Sequence, residues 1–284
     1  MAATERGAFA RMTRPLQSRA SAFLGGLASA FAGLIGLGGL VSPQPARAIE
    51  LPENRAEGTY HLYKGGGVTA QGPALLVRKS LADRVSVSGT WYVDSVSNAS
   101  IDVVTTASPY REDRQVYELG ADWVVRDALL SVSTSSSREP DYVANAVSVD
   151  LSQEVYGGMT TVAMGFTRAV DDVGRKDIGF FDQARHWQYR LGVTQILTTR
   201  WLASLNFEVV ADSGYLGSPY RAARVFGAAV PERNPRTRTS RAMRLSTAYD
   251  LGSRDALKAE YRYFWDTWAI KAHTCLLYTS PSPR

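Results

Sequence analysis

The chain has 284 residues, of which 45% are hydrophobic and 10% aromatic, and this length suits one large domain. Its formal net charge of +5 comes from the two ends: residues 1–48 hold five arginines and one glutamate, and Arg284 closes the chain. Residues 49–274 are therefore neutral in sum, which excludes the basic footprint of a nucleic-acid-binding protein. The single cysteine, Cys275, excludes an intrachain disulfide and a thiolate metal cluster.

The N-terminal segment has the three parts of a secretory signal peptide. Arginines precede the apolar, uncharged run of residues 20–41, and a small-x-small site at residues 45–48 follows it. We expect residues 1–48 to be removed after Ala48, so that the mature chain begins at Ile49 outside the cytoplasm. The alternative is a retained transmembrane anchor, since the run is just long enough to span a bilayer.

Hydrophobic and polar residues alternate with a period of two throughout the rest of the chain. In RVSVSGTWYVD, for example, Val87 and Trp91 share one face and Ser88 and Asp94 the other. This pattern predicts β-strands. The eleven predicted strands, with a twelfth beginning at Thr267, cover residues 57–64, 73–80, 84–94, 115–123, 128–135, 142–154, 159–168, 186–194, 201–209, 239–250 and 256–264.

The connections predict an all-β fold, an antiparallel up-and-down transmembrane β-barrel. Short connections are expected at residues 80–83, 126–127, 156–158, 198–200 and 251–254, and long ones at 95–112, 136–141, 169–184 and 211–238. Alternating short and long connections are typical of periplasmic turns and extracellular loops, whereas a Greek-key sandwich does not sort its loops in this way. The run KGGGVTAQG is expected to be the first loop, which places the N-terminus on the periplasmic side.

Several long motifs resemble one bacterial family. They are TYHLYKGGGVTAQGPALLVRKSLADRVSVSGTWYVDSVSNASIDVVTTASPYRE, YRLGVTQILT, SGYLGSPYRAARV and EYRYFWDTWAIKAHT. Over residues 56–274 the chain is similar to the DUF3570 family of predicted outer-membrane barrels of unknown function. The resemblance implies the outer membrane of a Gram-negative bacterium, and it brings no activity and no site residues.

The last ten residues, CLLYTSPSPR, resemble a translated sequencing adapter; a genuine Ser/Pro tail is the alternative. The expected organisation is therefore a signal peptide (1–48), an outer-membrane β-barrel (49–274) and a non-native tail (275–284). In the resembled family further strands follow the EYRYFWDTWAIKAHT motif, so we expect a C-terminally truncated barrel whose intact form has more than twelve strands. A barrel of that size leaves a lumen.

The polar face of the strands supplies candidate lumen-facing charges. They mix both signs and could form either a wetted pore wall or a structural salt-bridge network. The run PERNPRTRTSR supplies candidate contacts to lipopolysaccharide phosphates, which suit the guanidinium fork, or to passing anions; a solvated loop is the alternative. The lumen candidates are Asp94, Glu118, Asp122, Arg190, Glu208, Glu260 and Arg262, and the loop candidates are Arg233, Arg236, Arg238 and Arg241.

Other motifs carry no clear chemistry. His61, His186 and His273 lie on separate strands, and neither G-x-S-x-G nor H-E-x-x-H is present, so no enzyme is expected. The glycines at 65–67 lack the rest of a phosphate-binding loop. The sequon at residues 98–100 is not expected to be glycosylated. The acidic run VDDVGRKD lacks EF-hand spacing, and a solvated loop is favoured over a cation site.

The expected function is passive passage of small solutes across the outer membrane. The alternative is a structural or partner-binding envelope barrel with a plugged lumen. No cofactor, no metal and no nucleic acid are expected. The expected partners are outer-membrane lipid, lipopolysaccharide and, during insertion, the barrel-assembly machinery, and the sequence points to no protein partner.

Overall fold

The computed structural model of the chain describes residues 50–65, 68–98, 110–252 and 255–281. The expected signal peptide, two residues of the sequon (99–100) and residues 282–284 lie outside these ranges. The described residues form one sheet of twelve strands and a separate two-stranded hairpin. A single 3₁₀ turn, Lys176–Ile178, is their one helical element. Nowhere in these ranges is a helix long and apolar enough to cross a membrane.

The large sheet is an antiparallel meander in which each strand pairs with its neighbours in the chain. Its order is β1 to β9, then β12, β13 and β14, with β1 and β14 at its two edges. The hairpin β10–β11 lies within the connection from β9 to β12. The strands are β1 Arg55–Gly65, β2 Val68–Ala82, β3 Val85–Asn98, β4 Tyr110–Val125, β5 Ala128–Arg138, β6 Tyr142–Val155, β7 Thr160–Arg175, β8 Phe180–Thr198, β9 Trp201–Gly214, β10 Ala222–Val225, β11 Ala228–Pro231, β12 Thr237–Gly252, β13 Asp255–Asp266 and β14 Lys271–Pro281.

All eleven strands predicted from alternation are present, and most are longer than predicted. The expected loop at residues 169–184 was wrong in extent, because β7 continues to Arg175 and β8 begins at Phe180. The expected first loop was also wrong, since only residues 66–67 separate β1 from β2. In both places the backbone ladder continues where the alternation of side chains fades, because ladder hydrogen bonds do not depend on side-chain type.

The connections fall on two rims. The turn rim holds residues 83–84, 126–127, 156–159 and 199–200, and no connection described there exceeds four residues. The loop rim holds described connections of very different lengths: 139–141, 176–179, 215–236 and 267–270. In outer-membrane barrels the uniformly short turns are periplasmic and the variable loops extracellular. The same assignment here leaves the start of β1 on the periplasmic side.

The twelfth strand of the sheet, β14, begins at Lys271. The expected start at Thr267 was too early, since Thr267 lies in the turn 267–270. β14 pairs with β13 from Lys271 to Pro281 and includes Cys275, which is exposed. Part of the expected tail is therefore strand. The adapter origin of residues 275–284 stays a prediction.

The apolar face of the sheet is exposed and the polar face is covered, which is the reverse of the arrangement in a soluble protein. On the apolar face, Leu119 and Trp123 of β4 are 64% and 52% exposed. On the polar face, Ser86 of β3 and Ser148 of β6 are 0% and 3% exposed. Registers between neighbouring strands keep each face continuous. An exposed apolar face and a more covered polar face suit a barrel wall with lipid outside.

The apolar face also has the height of a membrane. On β8 it runs from Trp187 to Val193 and is bounded by Arg185 toward the loop rim and Gln195 toward the turn rim. The ten steps from Arg185 to Gln195, at about 3.3 Å each and tilted by about 40°, separate these two bounding side chains by roughly 25 Å across a membrane. That distance matches the apolar band of an outer-membrane barrel.

Candidate functional site: the polar face and its loop rim

The seven candidate lumen charges all lie on the polar face. Strand registers place Asp94 opposite Arg114 and Arg190 opposite Glu208, so each of these pairs shares a face. None of the seven is fully buried, and none is among the exposed residues of the sheet. The structure brings some of them into ion-paired clusters and leaves others apart. A structural salt-bridge network therefore describes one part of the face, and a wall of separate charges describes the other.

Near the loop rim, a first cluster joins β1, β3 and β4. His61 Nε2 lies 2.6 Å from Asp94 Oδ1, and Tyr92 donates its hydroxyl proton to the other carboxylate oxygen. The Arg114 guanidinium donates to the Tyr92 hydroxyl over 3.1 Å and lies 3.6 Å from Asp94. The His61–Asp94 contact passes over β2, where Gly72 stands opposite His61. A Cβ at Gly72 would lie 1.8 Å from the Val93 carbonyl oxygen, so only glycine fits.

A second cluster joins β6, β7, β8 and β9. His186 lies between two carboxylates, with Nδ1 2.7 Å from Asp212 and Nε2 3.2 Å from Asp171. Tyr142 donates its hydroxyl proton to Asp171, which is 7% exposed. Both ring nitrogens of His186 are therefore occupied, so this histidine has no nitrogen left to activate a nucleophile.

A third contact joins β12 to β13. Arg238 donates to Asp266 from Nη2 over 2.6 Å and from Nε over 2.8 Å, and the Asp266 side chain is fully covered. Asp266 also accepts from the backbone N–H groups of Trp268 and Ile270, which closes the turn 267–270. The Arg238 guanidinium lies 4.9 Å from the Trp268 ring centroid. We call these three groups together the rim belt: His61, Tyr92, Asp94, Arg114, Tyr142, Asp171, His186, Asp212, Arg238 and Asp266.

Between the rim belt and the turn rim, ion pairing is sparse. Arg190 reaches Asp150 over 2.8 Å across Gly165, where a Cβ would come within 2.3 Å of the Asp150 carboxylate. Asp122 accepts from Ser131 over 2.6 Å. Within the described residues, Glu208 and Glu260 have no ion pair, whereas Glu118 lies within electrostatic reach of Arg78 on β2 without forming a salt bridge to it. Arg262 contacts the Phe264 ring at 5.6 Å.

Charge on this middle section is unevenly distributed, because β2, β12 and β13 carry Arg78, Arg244, Lys258 and Arg262 on the same face, whereas carboxylates dominate β4 to β9. Over β4 to β9, between the rim belt and the turn rim, the described polar face holds a single basic side chain, Arg190. It holds five carboxylates: Glu118, Asp122, Asp150, Glu154 and Glu208. The carboxylate-rich part of the wall, β4 to β9, therefore concentrates cations along it.

The four candidate arginines of the PERNPRTRTSR run separate in the structure. Arg236 forms a bidentate pair with Asp182 at 2.7 and 2.9 Å, and Arg238 belongs to the rim belt. Arg233 is exposed in the connection between β11 and β12. Arg241 points to the apolar face of β12, since it lies opposite Val209 of β9. The four do not form one anion-binding surface.

The long connection 215–236 is fastened to its neighbours on the loop rim. Arg175 donates to the Pro219 carbonyl over 2.9 Å and lies 4.9 Å from the Tyr220 ring centroid. Tyr220 in turn donates to Asp141 in the connection 139–141. Hydrogen bonds from Arg175 lower the pKa of Asp177, which lies in the connection 176–179. At the tip of the β10–β11 hairpin, Phe226 and Gly227 both have positive φ, and the Phe226 side chain is fully exposed.

The run VDDVGRKD, expected to be a solvated loop, is mostly strand. Its first six residues belong to β7, and Asp171 within it is part of the rim belt. The third histidine, His273, lies on β14 and contacts Tyr261 over 2.6 Å at the edge of the sheet. Alternation could not reveal the partners of His61 and His186, because their carboxylates lie on other strands.

Comparison with known proteins identifies the family. A family model described as "Protein of unknown function (DUF3570)" matches residues 96–277. The chain belongs to this family. The match begins later than the resemblance seen in the sequence, which started near residue 56. A search of curated proteins gives no match.

Solved structures that resemble the chain are outer-membrane proteins. The siderophore receptor PirA from Pseudomonas aeruginosa has a TM-score of 0.51 and 10% identity, over 82% of this chain and 44% of the receptor. The chain thus spans less than half of that receptor's length, and at this identity the likeness shows the fold alone. The COG4313 outer membrane channel from Pseudomonas putida F1 has a TM-score of 0.47 and 10% identity, over 84% and 97% of the two chains. OmpTdeltaL8 from Vibrio cholerae has a TM-score of 0.46 and 9% identity, over 81% and 94%.

Proposed function

We propose that this DUF3570 protein is a channel of the bacterial outer membrane that passes small solutes, with a preference for cations. The observation that carries the proposal is the middle of the polar face, which on β4 to β9 is lined mostly by carboxylates. Glu208 has no ion pair among the described residues, and Glu118 has only Arg78 within electrostatic reach, without a salt bridge. A structural barrel has no need to keep unpaired charges on its inner wall, because removing a charge from water is costly unless water or a counter-ion stays with it. A hydrated path satisfies both groups.

Cation preference follows from the sign of those charges. Rings of carboxylates on a pore wall favour cations, and rings of basic groups favour anions. The rim belt contributes less to selectivity, because its carboxylates already face His61, Arg114, His186 and Arg238. We expect Glu118 and Glu208 to set the sign of the selectivity.

The test is a planar-bilayer recording on the full-length chain expressed from its intact gene. We expect discrete conductance steps and a reversal potential on the cation side in a salt gradient. The variant Glu118→Lys/Glu208→Lys should move the reversal potential toward anions. Asp172→Asn, which removes a carboxylate from the apolar face of β7, is the matched control and should leave it unchanged. A bilayer that stays sealed at all applied voltages would overturn the channel proposal.

One observation favours the alternative of a partner-binding envelope barrel with a plugged lumen. The connection 215–236 is fastened to two neighbouring connections and presents Phe226 fully exposed at a hairpin tip. Such a presentation suits a partner surface more than a passage. Absence of conductance, together with copurification of a partner that the Phe226→Ser variant loses, would decide for this alternative.

The remaining expectations about the protein belong to the same proposal. A signal peptide would carry the chain across the inner membrane, and the barrel-assembly machinery would insert it. No catalytic activity is part of this proposal, and His186 offers no free ring nitrogen, since Asp171 and Asp212 contact both.

A further inference from the structure

Besides the half-buried Arg241, three exposed arginines lie on the apolar face of the sheet, where the sequence predicted lipid contacts. They are Arg138 at the loop-rim end of β5, Arg168 on β7 and Arg185 on β8, and all three are exposed. Register places Arg168 opposite Trp187, and Arg185 lies two residues from Trp187 toward the loop rim. Such diagonal neighbours have Cβ atoms about 7–8 Å apart. Two long guanidinium side chains at that spacing can meet on one anion.

These arginines stand at the upper edge of the apolar band. Immediately below them, toward the turn rim, Phe166 packs against Trp187 and Tyr189 with ring centroids 5.8 and 5.3 Å apart. The Arg168 guanidinium lies 4.8 Å from the Trp187 ring centroid. Aromatic rings of this kind mark the interface between acyl chains and headgroups. The arginines are therefore at headgroup height on the extracellular side.

The charges of Arg168 and Arg185 are not neutralised within the described protein. Neither has an ion pair there, in contrast to Arg236 and Arg238 of the loop. One carboxylate, Asp172, is diagonal to Arg185 and accepts from Gln183 over 2.8 Å. Both arginines remain free to bind an external anion.

The opposite edge of the apolar band is uncharged on β6 and β8, although Arg126 and Arg200 lie beyond it in the turns of the turn rim. At the turn-rim edge of the apolar band, β6 and β8 carry Gln153 and Gln195 in place of arginine. Gln153 donates to backbone carbonyls of residues 127 and 154, and Gln195 to that of residue 196. The asymmetry indicates that the two leaflets differ in headgroup charge, with phosphate on the loop-rim side.

We propose that Arg168 and Arg185, flanked by Trp187 and Arg138, bind the phosphate of a phosphorylated lipid in the outer leaflet, of the lipopolysaccharide class. The guanidinium fork bonds phosphate oxygens in pairs, and the acyl chains lie against Phe166 and Tyr189. The site replaces the loop arginines predicted from sequence, of which Arg236 and Arg238 are already paired. It does not depend on whether the barrel conducts.

The experiment uses the full-length chain purified from outer membranes, with bound lipid A quantified. The variant Arg168→Gln/Arg185→Gln should retain roughly thirtyfold less, because each basic side chain near an anionic lipid surface contributes about a factor of five in affinity. Arg126→Gln/Arg200→Gln, which removes two arginines from the turn rim, is the matched control and should retain the wild-type amount. Equal retention by both variants would overturn the site.

A second measurement identifies the source of the phosphate. Binding is compared between phosphatidylcholine vesicles with and without lipid A, in the presence and absence of inorganic phosphate. We expect binding that needs lipid A and resists inorganic phosphate. Displacement by inorganic phosphate at equal concentration would mean a free-anion site and would contradict the lipid assignment. Arg168→Lys/Arg185→Lys should bind lipid A with intermediate affinity, because lysine keeps the charge and loses the fork.

Discussion

Near the loop rim, the ionisable side chains of the polar face hold one another: His186 lies between Asp171 and Asp212, and Arg238 is bonded to the covered Asp266. Halfway toward the turn rim, Glu208 on β9 has no ion pair among the described residues, and Glu118 on β4 has only Arg78 within electrostatic reach, without a salt bridge. The difference separates two roles of charge on one surface. At the rim, charge holds neighbouring strands together, whereas in the middle of the polar face charged side chains have few partners.

The largest effect is expected at Gly72, over which the His61–Asp94 contact passes. Gly72→Ala would drive a Cβ into the Val93 backbone carbonyl, which cannot move without disturbing the β2–β3 ladder. We expect a loss of about 3 kcal/mol in the free energy of unfolding, as for overpacking against rigid structure. The measurement is urea unfolding in detergent micelles.

The matched control is Gly58→Ala on β1, where nothing lies within 4 Å of the added Cβ. Its unfolding free energy should stay within about 0.5 kcal/mol of the wild type. Similar losses at the two glycines would show that the rim belt has no special geometric requirement at Gly72.

Arg238→Gln tests the rim belt at Asp266, the carboxylate whose side chain is fully covered. The change leaves Asp266 without its charged partner, although two backbone N–H groups still bond it. We expect a loss of about 2 kcal/mol, less than for a fully buried pair because Asp266 lies at the rim. Thermal unfolding compares this variant with Arg236→Gln, which breaks the exposed Asp182 pair and should change little. Equal losses of stability in the two variants would mean that covering the Asp266 side chain does not strengthen its ion pair with Arg238.

The sequence predicted the faces of these residues well and their partners not at all. Alternation decides which side of a strand Arg190 occupies, because the side-chain period is two. Its partner Asp150 lies two strands away across Gly165, and that contact depends on registers that alternation does not specify. The same limit hid the carboxylates on both sides of His186.

Strand ends and the short hairpin were missed for a different reason. Beyond the apolar band both faces of a strand are polar, so the alternation that identified β7 stops near residue 168 although its ladder continues to Arg175. The β10–β11 hairpin is only four residues on each side and turns at Phe226-Gly227, which is not a common hairpin pair. The outward arginines had a visible signal, a charge in an otherwise apolar register at Arg168 and Arg185.

Gly165→Ala probes the one long-range ion pair found in the middle of the described polar face. The added Cβ would meet the ends of two flexible side chains, Asp150 and Arg190, which can move aside. Their side chains are 41% and 24% exposed, so we expect a loss of only about 1 kcal/mol. Gly89→Ala, whose Cβ would make ordinary contact with Leu119, is the control. A loss of stability as large as that at Gly72 would mean that the middle of the polar face is packed as rigidly as the loop rim.

The smallest effect on stability is expected from removing an unpaired charge of the middle section. Glu208→Gln keeps the shape of the side chain, and no ion pair is broken, so the free energy of unfolding should change by less than about 0.5 kcal/mol. In a conducting barrel the same substitution should still weaken cation preference, because the wall loses one of its carboxylates. A variant that loses stability and keeps its selectivity would place Glu208 with the fastening residues of the rim. The charges that stabilise the sheet would then no longer be confined to the loop rim, nor would the middle section be reserved for charges that set selectivity.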